Sequence, residues 1–220
     1  MEQASYHHGD LRNSLVSTGI ELLNQKGVAG ISLREIARTI GVGHNAPYRH
    51  FRNKQQLLEA MAEDGFRRLK ARNTRLELEF ANDPEGQIFE SAMHVISMAA
   101  DQPNLFQLMF GGHIQPQDCG GELKLAADEA MQSLVGIIRN GQRLGVFIQG
   151  DSLTLALSTM SMIQGLAIMI SSGKLKVQFQ SQAKAASWAG RQTLLRGMVL
   201  QLFDVFLSGL KNDSQNGLKE

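Results

Sequence analysis

The sequence predicts an all-α fold, and three observations predict it. Proline occurs only 4 times in 220 residues. Apolar residues recur at the i, i+3, i+4 spacing of a helix face, and no segment alternates strictly between apolar and polar residues as a half-buried strand does. Capping residues precede the apolar stripes and glycines follow them, which is how helices are punctuated.

The first helix is expected from about Leu11 to Lys26, with Asp10 as its cap and Gly27 as its stop. Leu11, Leu15, Ile20 and Leu23 share one face of it. In "ISLREI", Ser32 followed three residues later by Glu35 is a capping box, and Ile31 with Ile36 is the matching hydrophobic staple. A second helix is therefore expected from Ser32 to Gly41, with Leu33, Ile36, Ala37 and Ile40 packed on neighbours because so short a helix is unstable alone.

The stretch "GVGHNAPYRHF", Gly41 to Phe51, crowds polar and cationic side chains around Pro47. Proline is tolerated in the first turn of a helix, where amides lack partners. A third helix of barely two turns is thus expected from Gly43 or His44 to His50 or Phe51. Asn53, with Gln56 three residues on, caps a fourth from Lys54 to Glu79, whose Leu57, Leu58, Met61, Phe66 and Leu69 point inward. Beyond the break at Asn82–Gly86, further helices are expected at about 85–101, 103–110, 121–143, 151–172 and 190–209. Phe110–Gly121 and Ser171–Gln182 read as loops, and the tail after 210 as frayed. The expected organisation is an N-terminal arm and helix-turn-helix over 1–53, a connecting helix over 54–80, and a second helical domain over 81–220.

Composition narrows the class. Hydrophobic residues make up 43% and charged residues 20%, as in a soluble globular chain. No uninterrupted apolar run reaches the roughly 18 residues of a membrane span, so no membrane partner is expected. The polar start of the chain has no signal-peptide core, and the single cysteine, Cys119, fits a reducing cytoplasm. Net charge is +1, but residues 1–80 carry 12 Lys/Arg against 9 Asp/Glu, and no acid lies between Glu35 and Glu59. That interval holds Arg38, Arg49, Arg52 and Lys54, a local basicity suited to an anionic partner.

A capped helix, a glycine turn and a short second helix make a helix-turn-helix. With Ile36, Ala37, Ile40 and Val42 buried in the corner, His44, Asn45, Tyr48 and Arg49 are left facing solvent. Asn suits adenine, Arg suits guanine, and Tyr and His suit phosphates. Lys54 stands at a helix start, where free amides and the dipole already favour an anion, and Arg34 stands near the start of the second helix.

On "YHHGDLR", "GISLREIARTIGV", "APYRHF" and "NKQQLLEAM", residues 6–70 resemble the N-terminal DNA-binding domain of the tetracycline-repressor (TetR) family of bacterial regulators. The resemblance implies that Arg34 reaches a base or a nearby phosphate, that His44, Asn45 and Ala46 meet bases, and that Tyr48, His50 and Lys54 hold the backbone. Pro47 stands where many members carry an aliphatic residue, which gives Arg49 a larger part in base readout.

The second part of the chain reads as sensor and dimer. In the helix at 151–172, Leu153, Leu157, Met160, Ile163, Ala167 and Ile170 form one apolar stripe, and Leu155, Met162, Leu166 and Met169 another. Ser158, Ser161 and Gly165 add a small-residue track. The helix at 190–209, with Met198, Leu202 and Phe206, is similarly two-sided. A helix apolar on both sides is central in a core or shared with another chain. Both helices are therefore expected to pair with their copies in a twofold four-helix bundle. A homodimer implies a palindromic double-stranded DNA operator with half-sites roughly 34–36 Å apart. Met93, Met98, Leu105, Phe106, Met109 and Phe110 are candidate linings of a pocket for a small apolar or amphipathic effector, since Met adapts to irregular shapes.

No cofactor and no metal is expected. A metal- or thiol-responsive regulator on the same fold is the alternative, using His94, His113, Asp118 and Cys119, although their spacing matches no standard site. Gly150 to Leu153, "GDSL", matches a serine-hydrolase motif. That chemistry needs a histidine downstream, and the last one is His113, so the quartet reads as a helix cap by Asp151 or Ser152.

Overall fold

A computed structural model describes residues 8–114, 120–172, 174 and 188–210, with backbone only at 8–10, 188–189 and 191–192. Among the described residues there are eight α-helices, a 3₁₀ turn and no strand. They are α1 (His8–Lys26), α2 (Leu33–Thr39), the 3₁₀ turn Pro47–Arg49, α3 (Lys54–Glu79), α4 (Pro84–Asp101), α5 (Pro103–Phe110), α6 (Gly121–Arg143), α7 (Ser152–Ser171) and α8 (Trp188–Leu210). Apart from the third, which is replaced by the 3₁₀ turn, the expected helices are present, with ends displaced by a residue or two except in α1. That helix begins at His8, upstream of the expected cap, and the side chain of Asp10 lies outside the described residues. Asp118, Cys119 and the tail 211–220 lie outside them too.

The chain forms two compact units, residues 1–67 with 102–127, and residues 68–101 with 128–220; the divisions fall inside α3, between α4 and α5, and inside α6. In the first unit, one apolar cluster joins Leu15 and Leu23 of α1, Ile36 of α2, Phe51, Leu57 and Met61 of α3, Leu105 and Leu108 of α5, and Leu123 of α6. Polar contacts bind the same elements. Asn104 donates to the carbonyls of Leu23 (3.0 Å) and Asn24 (3.2 Å), and the Leu105 amide donates to Asn24 Oδ1 (3.3 Å). Two of the last carbonyls of α1, where the helix has run out of its own donors, thus meet the start of α5, and Leu23 O also accepts from the Gly27 amide (2.8 Å).

In the second unit α4 packs against α7 and α8. Its Ile88, Ala92, Ile96 and Ala99 are fully buried, and Phe89 meets Phe203 edge-on at 5.7 Å. Helix α7 buries Ala156, Thr159, Ile163, Leu166 and Ala167. This divides the first expected stripe: Ile163 and Ala167 face inward, whereas Leu153 and Leu157 are exposed alongside Met169 of the second stripe. The reason is helical arithmetic. At about 100° per residue, seventeen positions leave Leu153 and Ile170 about 100° apart around the axis, too far to share one face.

Asp151 caps α7, accepting from the Thr154 amide (2.8 Å), and Ser152 Oγ donates to Gln142 Oε1 (2.8 Å). The Gly150–Leu153 quartet is a helix start. Averaged over a helical length, α7 and Thr193–Leu210 are apolar and long enough for a membrane crossing (mean hydropathy 1.7 and 1.4), although neither contains an uninterrupted apolar run of that length. Only 28% and 22% of the residues in these stretches are buried, so both leave much apolar surface uncovered.

Candidate nucleic-acid interface

The site is built on the corner after α2. Ser32, extended at its backbone, caps α2 by accepting from the Glu35 amide (3.2 Å). The Glu35 carboxylate, the other expected half of the capping box, is ion-paired with Lys26 of α1. That cation holds the carboxyl below its ordinary pKa. Ile31 and Ile36 are both buried, as the staple requires.

The helix closes in a Schellman motif: Val42 N–H donates to Ala37 O (3.0 Å) and Gly41 N–H to Arg38 O (3.3 Å). Gly41 takes φ +74°, a left-handed conformation that costs glycine nothing and an L-residue about 1–2 kcal/mol. The next segment therefore leaves α2 in a fixed direction.

That segment is not a two-turn α-helix. His44–Ala46 form turns, and Pro47–Arg49 a single 3₁₀ turn, packed against α2. Ala46 N–H donates to Gly43 O (2.9 Å) and Arg49 N–H to Ala46 O (3.2 Å), both three residues back. Pro47 has no N–H to give Gly43, so the four-residue ladder cannot run through it. Proline shapes the segment more than the expected first-turn tolerance implied. Its ring is buried, and Phe51 N–H returns to Pro47 O (2.9 Å) to close the segment.

With Pro47 inward, its neighbours point out. His44, Asn45, Tyr48 and Arg49 are exposed, Tyr48 to 45%, and Ala46 and His50 are half-buried. Arg34 is exposed near the start of α2. Lys54, half-buried, is the first residue of α3, whose start is capped by Asn53 Oδ1 accepting from the Gln56 amide (2.9 Å). Gln56 Oε1 in turn accepts from the Arg52 amide (2.8 Å), tightening the turn that carries Arg52 and Lys54. A buried carboxylate fixes the floor: Glu63 pairs with Arg67 (2.7 Å) and Arg12 (3.5 Å), and Arg12 lies 5.6 Å from the centre of the Phe51 ring.

The candidate pocket residues are divided between the two units. Leu105 and Phe106 are buried in the first unit, where Phe110 meets Phe106 at 5.2 Å and Phe66 at 5.3 Å, and Met109 packs against the same core. Met98 is buried in the second unit. Met93 alone of the six lines the cavity of about 330 Å³ found there, with Arg72, Glu90, His94, Ser97, Thr193 and Arg196. Sequence reasoning missed this polar lining because its members come from α3, α4 and α8, with no local spacing to mark them. His94 was a candidate metal ligand; among the described residues no three His, Cys, Asp or Glu side chains gather as a metal site. Of the candidate dimer residues, Ser158, Ser161, Gly165, Met169 and Leu202 are exposed, and Met162, Met198 and Phe206 half-buried.

A glycine-closed corner presenting cationic and amide side chains from a short second element, with a lysine at the next helix start, defines a helix-turn-helix DNA-binding module. Residues 15–61 match the sequence model of the bacterial regulatory proteins, tetR family, so this chain carries that family's DNA-binding domain; members of the family are transcriptional regulators rather than enzymes. Over 51 residues it is 45% identical to the class A tetracycline repressor of Escherichia coli, 23% of this chain and 24% of the repressor. The match thus spans about a quarter of the length of that relative. A solved Rhodococcus sp. RHA1 protein of unknown function is 31% identical over 96% of this chain and all of its own, with a TM-score of 0.76. A TetR-family transcriptional regulator from Pectobacterium atrosepticum shares the fold across 95% of this chain and 98% of its own, at 17% identity and a TM-score of 0.66.

Proposed function

We propose that this protein is a cytoplasmic repressor that binds a palindromic operator as a homodimer and releases it when a small-molecule effector binds. The observation that carries the DNA reading is the outward set His44, Asn45, Tyr48 and Arg49, fixed around a buried Pro47 in an interval without acids. Arg49 and Asn45 read base edges, His44 and Ala46 line the contacted bases, and Tyr48, His50, Lys54 and Arg34 hold the sugar-phosphate walls. Self-association is supported by the uncovered apolar side chains of α7 and α8: Leu157, Met169, Leu202 and Val205 are each more than two-fifths exposed. An apolar face of that extent calls for a partner, and a second copy supplies the same face by twofold symmetry. Residues 1–53 then carry the reading head, 54–80 the connecting helix and 81–220 sensing and dimerisation.

Selection of bound fragments from random DNA by the purified protein tests the whole reading. A recovered palindrome with half-sites one helical turn apart is the expected result. Recovery of unrelated sequences, or of none, overturns it.

A further inference from the structure

The cavity of the second unit has a chemistry of its own. Arg72 comes from α3, Glu90, Met93 and His94 from α4, and Thr193 and Arg196 from α8. Its volume, about 330 Å³, lies at the lower end of the roughly 300–1,000 Å³ of small-molecule sites. Two guanidiniums and one carboxylate stand in the lining, and Glu79 pairs with Arg72 beside it. Arg196 grips Glu90 with both terminal nitrogens, Nη1 lying 3.3 Å from Oε2, while its guanidinium sits 4.8 Å from the centre of the Phe89 ring. Arg72 Nη2 stands 3.8 Å from Glu90 Oε2, and its Nη1 3.4 Å from Glu79 Oε2. A guanidinium has five N–H donors in a planar fork, so both arginines retain donors beyond these pairs.

His94 adds a second observation. Its Nε2 is buried and has no hydrogen-bond partner. Burial, reinforced by the charges of Arg72 and Arg68, holds the imidazole below its ordinary pKa. Uncharged at neutral pH, the ring adds no cation to the lining.

We propose that this cavity takes a small organic monocarboxylic acid, its carboxylate on the free donors of Arg72 and Arg196 and its body against Met93 and the His94 ring. The proposal deepens the effector-responsive reading and rests on it. A cationic ligand is opposed by the two guanidiniums, and a neutral one leaves their remaining donors without an anionic acceptor. A dianion is opposed by Glu90.

The test is calorimetric titration of the full-length protein with benzoate, phenylacetate and octanoate, each beside its amide and its amine. At least one carboxylate is expected to bind, with its amide and amine about tenfold weaker or worse. Glu90→Gln removes the competing anion and is expected to tighten the carboxylate about threefold or more. Arg196→Gln should weaken it about tenfold, and Arg196→Lys, which keeps the charge but not the fork, by less. Melting curves of the variants check that they fold. Equal or stronger binding of the amides or amines, a weaker carboxylate in Glu90→Gln, or no carboxylate binding at all overturns the proposal. Operator release is measured separately. Carboxylates that bind without changing DNA affinity uphold the cavity's chemistry and sink the effector-responsive reading. Release by neutral compounds alone does the reverse.

Discussion

The corner at Gly41 and the α7–α8 helices both leave large side chains in water, but they are built in opposite ways. The corner is short and held by backbone devices: a cap at Ser32, a Schellman closure at Gly41 and a buried proline, with polar groups outside. The two long helices need no special turns, and the side chains they leave outside are Leu157, Ile168, Met169, Leu202 and Val205. Polar groups fixed in place suit a partner read by hydrogen bonds, whereas apolar groups suit one that excludes water. The difference teaches that exposure alone does not identify an interface; the chemistry of what is exposed, and how rigidly it is held, does.

Four experiments break or sharpen this contrast. The largest effect is expected from Met169→Glu combined with Leu202→Glu, which places carboxylates where the proposed partner copy excludes water. Sedimentation should shift from dimer to monomer, and operator affinity should fall by about a hundredfold or more as the paired half-sites lose their linkage. A dimer that persists removes the α7–α8 face from the interface. Next is Gly41→Val. At φ +74° a β-branched side chain is expected to cost about 1–2 kcal/mol in urea unfolding, and to weaken DNA binding further by misdirecting the segment that follows. Unchanged stability would show that the turn relaxes without harm.

Tyr48→Ala and Lys54→Ala come third. Each should weaken operator binding severalfold and leave the melting temperature unchanged. Lys54→Ala should also lower the slope of log affinity against log salt by about one; an unaltered slope removes Lys54 from the phosphate contacts. The smallest effect is a pH dependence at His94. Its folded pKa lies below the unfolded value, so the unfolded chain binds more protons through that window. Stability is therefore full above about pH 6.5, the unfolded value, and is lost as pH falls through the lowered folded pKa. His94→Gln should flatten that part of the profile.

What the sequence disclosed follows the range of the interactions involved. Ser32, Gly41 and Asn53 were legible because each acts on backbone within a few residues, and the helices of α3 to α6 were legible as stripes between such stops. The 3₁₀ course of His44–Arg49 was not, because a lone proline states which bond is missing without stating what replaces it. The faces of α7 blurred because its apolar residues ring the helix between scattered Ser and Thr, leaving burial to be decided by α4. The charged cavity was hidden for the plainest reason: Arg72, Glu90 and Arg196 meet only after folding.

The clasp of Asn104 on the carbonyls of Leu23 and Asn24 bears on how this protein can be cut and recombined. Leu105, Leu108 and Leu123 lie in the same apolar cluster as Leu15 and Ile36, so an excised fragment ending at residue 80 would expose that cluster and open the end of α1 to water. A chimera meant to transplant the operator preference into another regulator needs residues 102–127 along with the leading segment, since the seam of this molecule runs through space and not along the chain.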